Sequence, residues 1–155
     1  MESFKIENFQ RHNAGADFPW FETLLPHECA SLKTRLVDRL GLVTSTDSLP
    51  LVQRLNDISS VVRVFSPVGA VLDLAAIFHS LGITPSATVL INWYRFDQID
   101  RMKFSDLCHN LEDVWYPAAD DIDIFDTSLH WIISLTHYGK IRIVRLNGKG
   151  SHPCP

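Results

Sequence analysis

The sequence predicts an α+β domain in which N-terminal helices pack on a C-terminal antiparallel β-sheet arranged as a meander. Three observations carry that prediction. Cys29, Leu32, Leu36 and Leu40 recur at spacings of three and four, the period of one side of a helix. After Asp120, three β-branched and aromatic runs follow closely, Ile122 to Asp126, His130 to His137 and Lys140 to Leu146. Their connectors are short enough to join antiparallel neighbours, and no alternating βαβ pattern competes with them.

Each element has its own warrant. Residues up to about Phe21 show no clear period, and Phe18, Trp20 and Phe21 are expected to tuck against the body. The first helix begins near Thr23 as its N-cap, accepts Pro26 in its first turn and stops at Gly41. Thr44 to Pro50 is a polar connector, and Leu51 to Phe65 reads either as a short helix or as the strand Val61 to Phe65. Ser66-Pro67 predicts the N-cap and N1 of a second helix that reaches Leu81, interrupted only by Asp73 and His79. Ala87 to Arg95 has strand composition, and Phe104, Leu107, Cys108 and Leu111 predict a short helix after it. The whole is one domain over residues 1–147 with a flexible tail at 148–155.

Composition bounds the function. A chain of 155 residues, 46% apolar and 21% charged, buries roughly two-thirds of its unfolded surface and needs no staple. Cys29, Cys108 and Cys154 are odd in number and form no C-x-x-C pair, against a disulfide framework or zinc site. The charged start lacks a secretory apolar region, and no apolar run approaches the ~20 residues of a membrane span. A cytoplasmic protein without membrane attachment is expected. Net charge −4 disfavours direct nucleic-acid binding. Neither a P-loop, a dinucleotide glycine turn nor a G-x-S-x-G elbow is present, which counts against catalysis without excluding it, and no cofactor is expected.

Charge distribution says more than its total. From Asp97 to Asp126 nine acids stand against Arg101 and Lys103, a local balance of −7, and no acid follows Asp126. Within this stretch Asp121 and Asp123 alternate, which on a strand projects both carboxylates to one face. Such a pair holds Mg²⁺ in enzymes acting on phosphate-containing substrates. That is the alternative reading, weakened because Arg101 to Ala119 contains no glycine for a phosphate-binding turn. The favoured reading is a solvated outer face, from which both carboxylates could be removed without loss of the fold. His130 and His137 are seven residues apart and point to opposite faces of a regular strand, so they share no site. Trp93, Trp115 and Trp131 are either exposed anchors or buried sheet aromatics.

The segment Val114-Trp115-Tyr116-Pro117, Asp120-Asp121-Ile122-Asp123-Ile124-Phe125-Asp126, Trp131-Ile132-Ile133-Ser134 and His137-Tyr138-Gly139 resembles small bacterial immunity proteins. These belong to polymorphic-toxin and interbacterial secretion systems of the type VI or contact-dependent kind. The resemblance covers the last third of the chain. It implies neutralisation of a cognate protein toxin without catalysis, and the chain is expected to be a monomer or homodimer. An acidic surface complements a basic toxin, which places Glu112, Asp113, Trp115, Tyr116, Asp120, Asp121, Asp123 and Asp126 at or beside the partner interface.

Overall fold

In a computed structural model, residues 1–43, 48–65, 72–93, 95–117 and 119–146 are described. They form an α+β fold of six helices and one seven-stranded sheet. The elements are α1 (Ser3–His12), β1 (Phe21–Thr23), α2 (Pro26–Arg39), α3 (Leu49–Ile58), β2 (Ser60–Val64), α4 (Leu74–Ser80), β3 (Thr88–Asn92), β4 (Ile99–Lys103), α5 (Phe104–His109), α6 (Leu111–Val114), β5 (Ile122–Phe125), β6 (Trp131–Thr136) and β7 (Lys140–Arg145).

The strand order is β1-β4-β3-β5-β6-β7-β2, with every neighbouring pair antiparallel. β5, β6 and β7 pair in chain order, but the sheet is not a C-terminal unit. Two strands from the first half, β1 and β2, form its edges. Helices and strands therefore interleave along the chain, and the helices-first order holds only roughly.

Opposed residues of antiparallel strands share a face, so register assigns the layers. Asp100, Ile91, Ile124, Ile133 and Ile143 fall on one face. With Ile91, Trp93 lies there too, its indole donating to Asp100, and Lys5 of α1 sits over that indole. Phe78 of α4 packs on Trp131 and Phe104 on the same side. The opposite face carries Leu90, Asn92, Asp123, Phe125 and Ser134. There α2 approaches Leu90 through Leu32, and α3 covers Asp123 and Ser134 through Val52, Leu55 and Asn56. With both faces covered, the central strands are buried along their length, β5 at all of its residues.

Several local expectations shift. α2 buries Cys29, Leu32, Leu36 and Val37, but it begins at Pro26, where Glu28 accepts from the Leu25 amide. Gly41 follows it at φ +64°, a conformation glycine adopts without strain. Leu51 to Phe65 is both alternatives in succession, α3 and then β2. Asp73 does not interrupt a helix. It begins α4 by accepting from the Ala76 amide. The predicted start of that helix at Ser66-Pro67 and the tail at 148–155 lie outside the described residues.

Candidate functional site

An open cleft of about 360 Å³ lies where the start of α1, the residues after β3 and the approach to β5 meet. It is lined by Glu2, Trp93, Arg95, Gln98, Ala119, Asp120 and Asp121. Its floor is built on Lys5. In the first turn of α1, this lysine is 0% exposed. Its ammonium donates to the Val114 carbonyl at 2.7 Å and to Asp120 Oδ2 at 2.5 Å. It also sits 4.1 Å from the centre of the Trp93 ring and 5.0 Å from that of Tyr116. Asp120 Oδ2 further accepts the Tyr116 amide at 2.9 Å. A buried cation needs such partners, because desolvation without them costs several kcal/mol.

Asp121 is held separately. It accepts from the His137 amide at 2.8 Å, and its carboxylate lies 2.9 Å from His137 Nδ1. Asp123 points away into the protein. At 8% exposure it accepts Ser134 Oγ on Oδ1 at 2.6 Å and Asn92 Nδ2 on Oδ2 at 2.9 Å. Burial pushes its carboxyl above the ordinary 3.8, against the pull of those two hydrogen bonds and with a smaller push from Asp121. Asn92, Asp123, Ser134 and Arg142 stand directly opposite one another across β3, β5, β6 and β7. The row ends with Arg142, which donates to Asn56 Oδ1 at 2.8 Å while its buried Nε has no protein partner among the described residues.

The sequence-predicted site residues are therefore not one patch. Asp120, Asp121 and Tyr116 lie at or beside the cleft, and Tyr116 packs on exposed Phe4 with ring centres 5.8 Å apart. Glu112 is exposed and Asp113 half-buried on α6. The rest must be corrected. Trp115 is 1% exposed, with its indole donating to the Asp120 carbonyl at 2.9 Å, and so cannot anchor a partner. Trp131 is likewise buried, against Phe78. Asp126 is 6% exposed and closes the turn after β5 by accepting the Ser128 amide at 2.9 Å. Asp123 is not on a solvated face, and it is the acceptor for the Ser134 and Asn92 donors.

A further acid of the stretch, Asp100, is also fully buried. It accepts Thr23 Oγ1 at 2.6 Å and the Trp93 indole at 2.7 Å, and it pairs with the Met1 amino group. The −7 balance of the stretch thus overstates the charge reaching solvent. Lys5, Asn92, Ser134 and Glu2 were not singled out from sequence. Asn92 alone carried a signal, an amide closing the apolar run Val89 to Ile91.

As a metal centre the Asp121–Asp123 pair has poor geometry. Its carboxylates serve different donors, and the described residues contain no group of three or more His, Cys, Asp or Glu placed to hold an ion. No described helix is long and apolar enough to cross a membrane. No family model, curated protein or solved structure matches the chain.

Proposed function

We propose that this chain is a binding protein that neutralises a cognate bacterial protein toxin, and that the cleft at Glu2, Asp120 and Asp121 receives a basic element of that partner. The observation that carries the reading is the composition of this cleft. Three carboxylates share its lining with one indole and a single cation, Arg95, and Phe4 and Tyr116 lie beside Lys5, which pairs with Asp120 of that lining. Carboxylates steer a basic partner and set its approach rate, while aromatic side chains supply contact area at low entropic cost. Because Lys5 neutralises Asp120, the steering falls mainly to Glu2 and to exposed Glu112. The metal-dependent alternative has no specific observation in its favour.

Charge reversal at Asp120 would break the buried pair with Lys5 and confuse folding with binding. The informative variants are Glu2→Lys and Glu112→Lys. The toxin is captured from the native strain on immobilised protein, identified, and its association rate measured at two salt concentrations. Association with the double variant should slow by roughly tenfold at low salt and lose most of its salt dependence. Recovery of no toxin, or rates indifferent to both reversals, removes the support for this reading.

A further inference from the structure

The buried carboxylate behind the cleft is wired to the turn that forms one of its walls. Asn92 ends β3 fully buried and uses both ends of its amide. Nδ2 donates to Asp123 Oδ2 at 2.9 Å, and Oδ1 accepts the Phe96 amide at 2.7 Å. Phe96 occupies the left-handed region at φ 59°, which costs a side chain about 1 kcal/mol or more and persists only where its surroundings hold it. Its ring is buried near Phe125, and the flanking Arg95 and Gln98 line the cleft. A second tether, Ser48 Oγ to the Arg95 carbonyl at 2.6 Å, fixes the turn from outside. From the sheet side the Trp93 amide also donates to the Gln98 carbonyl at 3.3 Å and closes the base of the turn, while the Asn92 side chain holds Phe96 at its middle.

We propose that Asp123 and Asn92 form a latch that holds the turn carrying Arg95, Phe96 and Gln98, and that uptake of one proton by Asp123 releases it. The hydrogen-bond inventory dictates the mechanism. An ionised Asp123 accepts on both oxygens, so Asn92 must present its NH₂ group to the carboxylate and its carbonyl to Phe96. The Ser134 bond at 2.6 Å holds Oδ1 as an acceptor, leaving Oδ2, with its longer bond, as the place for a proton from solvent. A protonated Oδ2 is a donor facing a donor. Asn92 relieves the conflict by turning its amide over, which sets its NH₂ against the Phe96 N–H and leaves that buried amide without an acceptor. A cavity of about 20 Å³ beside Asp123, lined by Asn56, Asp121, Ser134 and Thr136, has room for a water that delivers the proton.

The charged groups around Asp123 are few. Asp121 on its own chain segment opposes ionisation, and its carboxylate is shared with His137. Arg142 of β7 stands beyond Ser134, and α3 contributes only Val52, Leu55 and Asn56 to that cavity. Burial raises the carboxyl, which moves the release toward less acidic conditions. The consequence for partner binding rests on the cleft being the partner face, but the latch itself does not.

The test therefore uses the free protein. The Asp123 side-chain carboxyl is titrated by carbon NMR while hydrogen exchange of the Phe96 amide is followed over the same pH range, after correction for intrinsic exchange. Protection of Phe96 should fall at least about tenfold with the midpoint of Asp123, while the amides of Ile91 and Ile124 keep theirs. The Trp93 indole, which reports on Asp100, should not follow that midpoint. In Asn92→Ala the Phe96 amide should be unprotected at every pH. Phe96 protection indifferent to the Asp123 midpoint, as expected if Ser134 turns to accept the proton on Oδ1, would overturn the latch. So would protection that follows His137, or that falls together with the whole sheet. The wild-type titration decides this even if the variant does not fold, and a failure to capture a toxin leaves it untouched.

Discussion

Replacing Lys5 by methionine tests the most consequential buried charge in the fold. Methionine retains the length and most of the volume of lysine, so the aromatic surroundings of Trp93 and Tyr116 stay filled and the change is confined to the ammonium. Two acceptors then lose their donor, the Val114 carbonyl and Asp120. The stranded carbonyl costs about 1 kcal/mol. The stranded carboxylate costs about 2 to 3 kcal/mol, below the full penalty for an isolated buried charge, because its side chain is 17% exposed and keeps the Tyr116 amide. The weak 3.6 Å contact to half-exposed Glu2 adds little. Lys5→Met should thus destabilise the protein by about 3 kcal/mol, a fall in Tm of roughly 6 to 12 °C at this size. Urea unfolding followed by tryptophan fluorescence gives the value. The double variant with Asp120→Asn should recover about 2 kcal/mol relative to additivity. A single-variant loss below about 1 kcal/mol, or strict additivity, would mean that Lys5 is hydrated and that the floor of the cleft is not built on this pair.

Asp123 gives a pH-dependent expectation with a definite sign. Its folded pKa lies above the unfolded value, so its protonated form favours the fold, and that contribution is complete below about 3.8 and lost as pH rises through the folded pKa. Asp123→Asn cannot titrate there, so in urea midpoints the variant should gain on the wild type as pH rises from about 4 through the folded pKa, and a flat or reversed difference contradicts the burial argument. Cys108 is pushed up to about 11, first by burial and then by Asp73. Its alkylation at pH 8, mapped by mass spectrometry, should run about a hundredfold slower than in the urea-unfolded chain and accelerate as pH approaches 11. Reaction at the unfolded rate would place the thiol in water.

Sequence periodicity served best where burial is one-sided. Cys29, Leu32 and Leu36 sit on one side of α2 and were legible, whereas β5, β6 and β7, covered on both faces, were legible from β-branched and aromatic composition instead. It failed where the buried residue is polar. In α1 the buried positions are Lys5 and Phe9, a spacing of four that is helical, but a lysine there hides the apolar stripe from any pattern that scores charge as exposed. β4, Ile99-Asp100-Arg101-Met102-Lys103, was obscured for the same reason. Its Asp100 counted as surface acid, although Thr23, Trp93 and Met1 satisfy it in the interior. β1 is only three residues long and is defined by its pairing with β4, which local composition does not announce.

The same physical fact decides how much of the site could be read. An acid in a sequence is equally consistent with a solvated charge and with an internal acceptor, and only the donors brought up from distant segments separate the two. Asp123 became internal because Asn92, 31 residues away in sequence, and Ser134 stand beside it in register. Asp120 is drawn partly inward because a lysine from α1 crosses to it over 115 residues of sequence. Acids given no such donor among the described residues, such as Glu112, stayed where the sequence put them. The acidic stretch therefore divides into buried acceptors that shape the cleft and exposed carboxylates left to steer a partner. Exchanging Glu112 should change association without touching stability, whereas exchanging Asp123 should change stability and the turn at Phe96 first. Measuring both quantities on both variants separates the two groups. An Asp123 variant that altered association alone would place that carboxylate on the surface, and the division with it would fail.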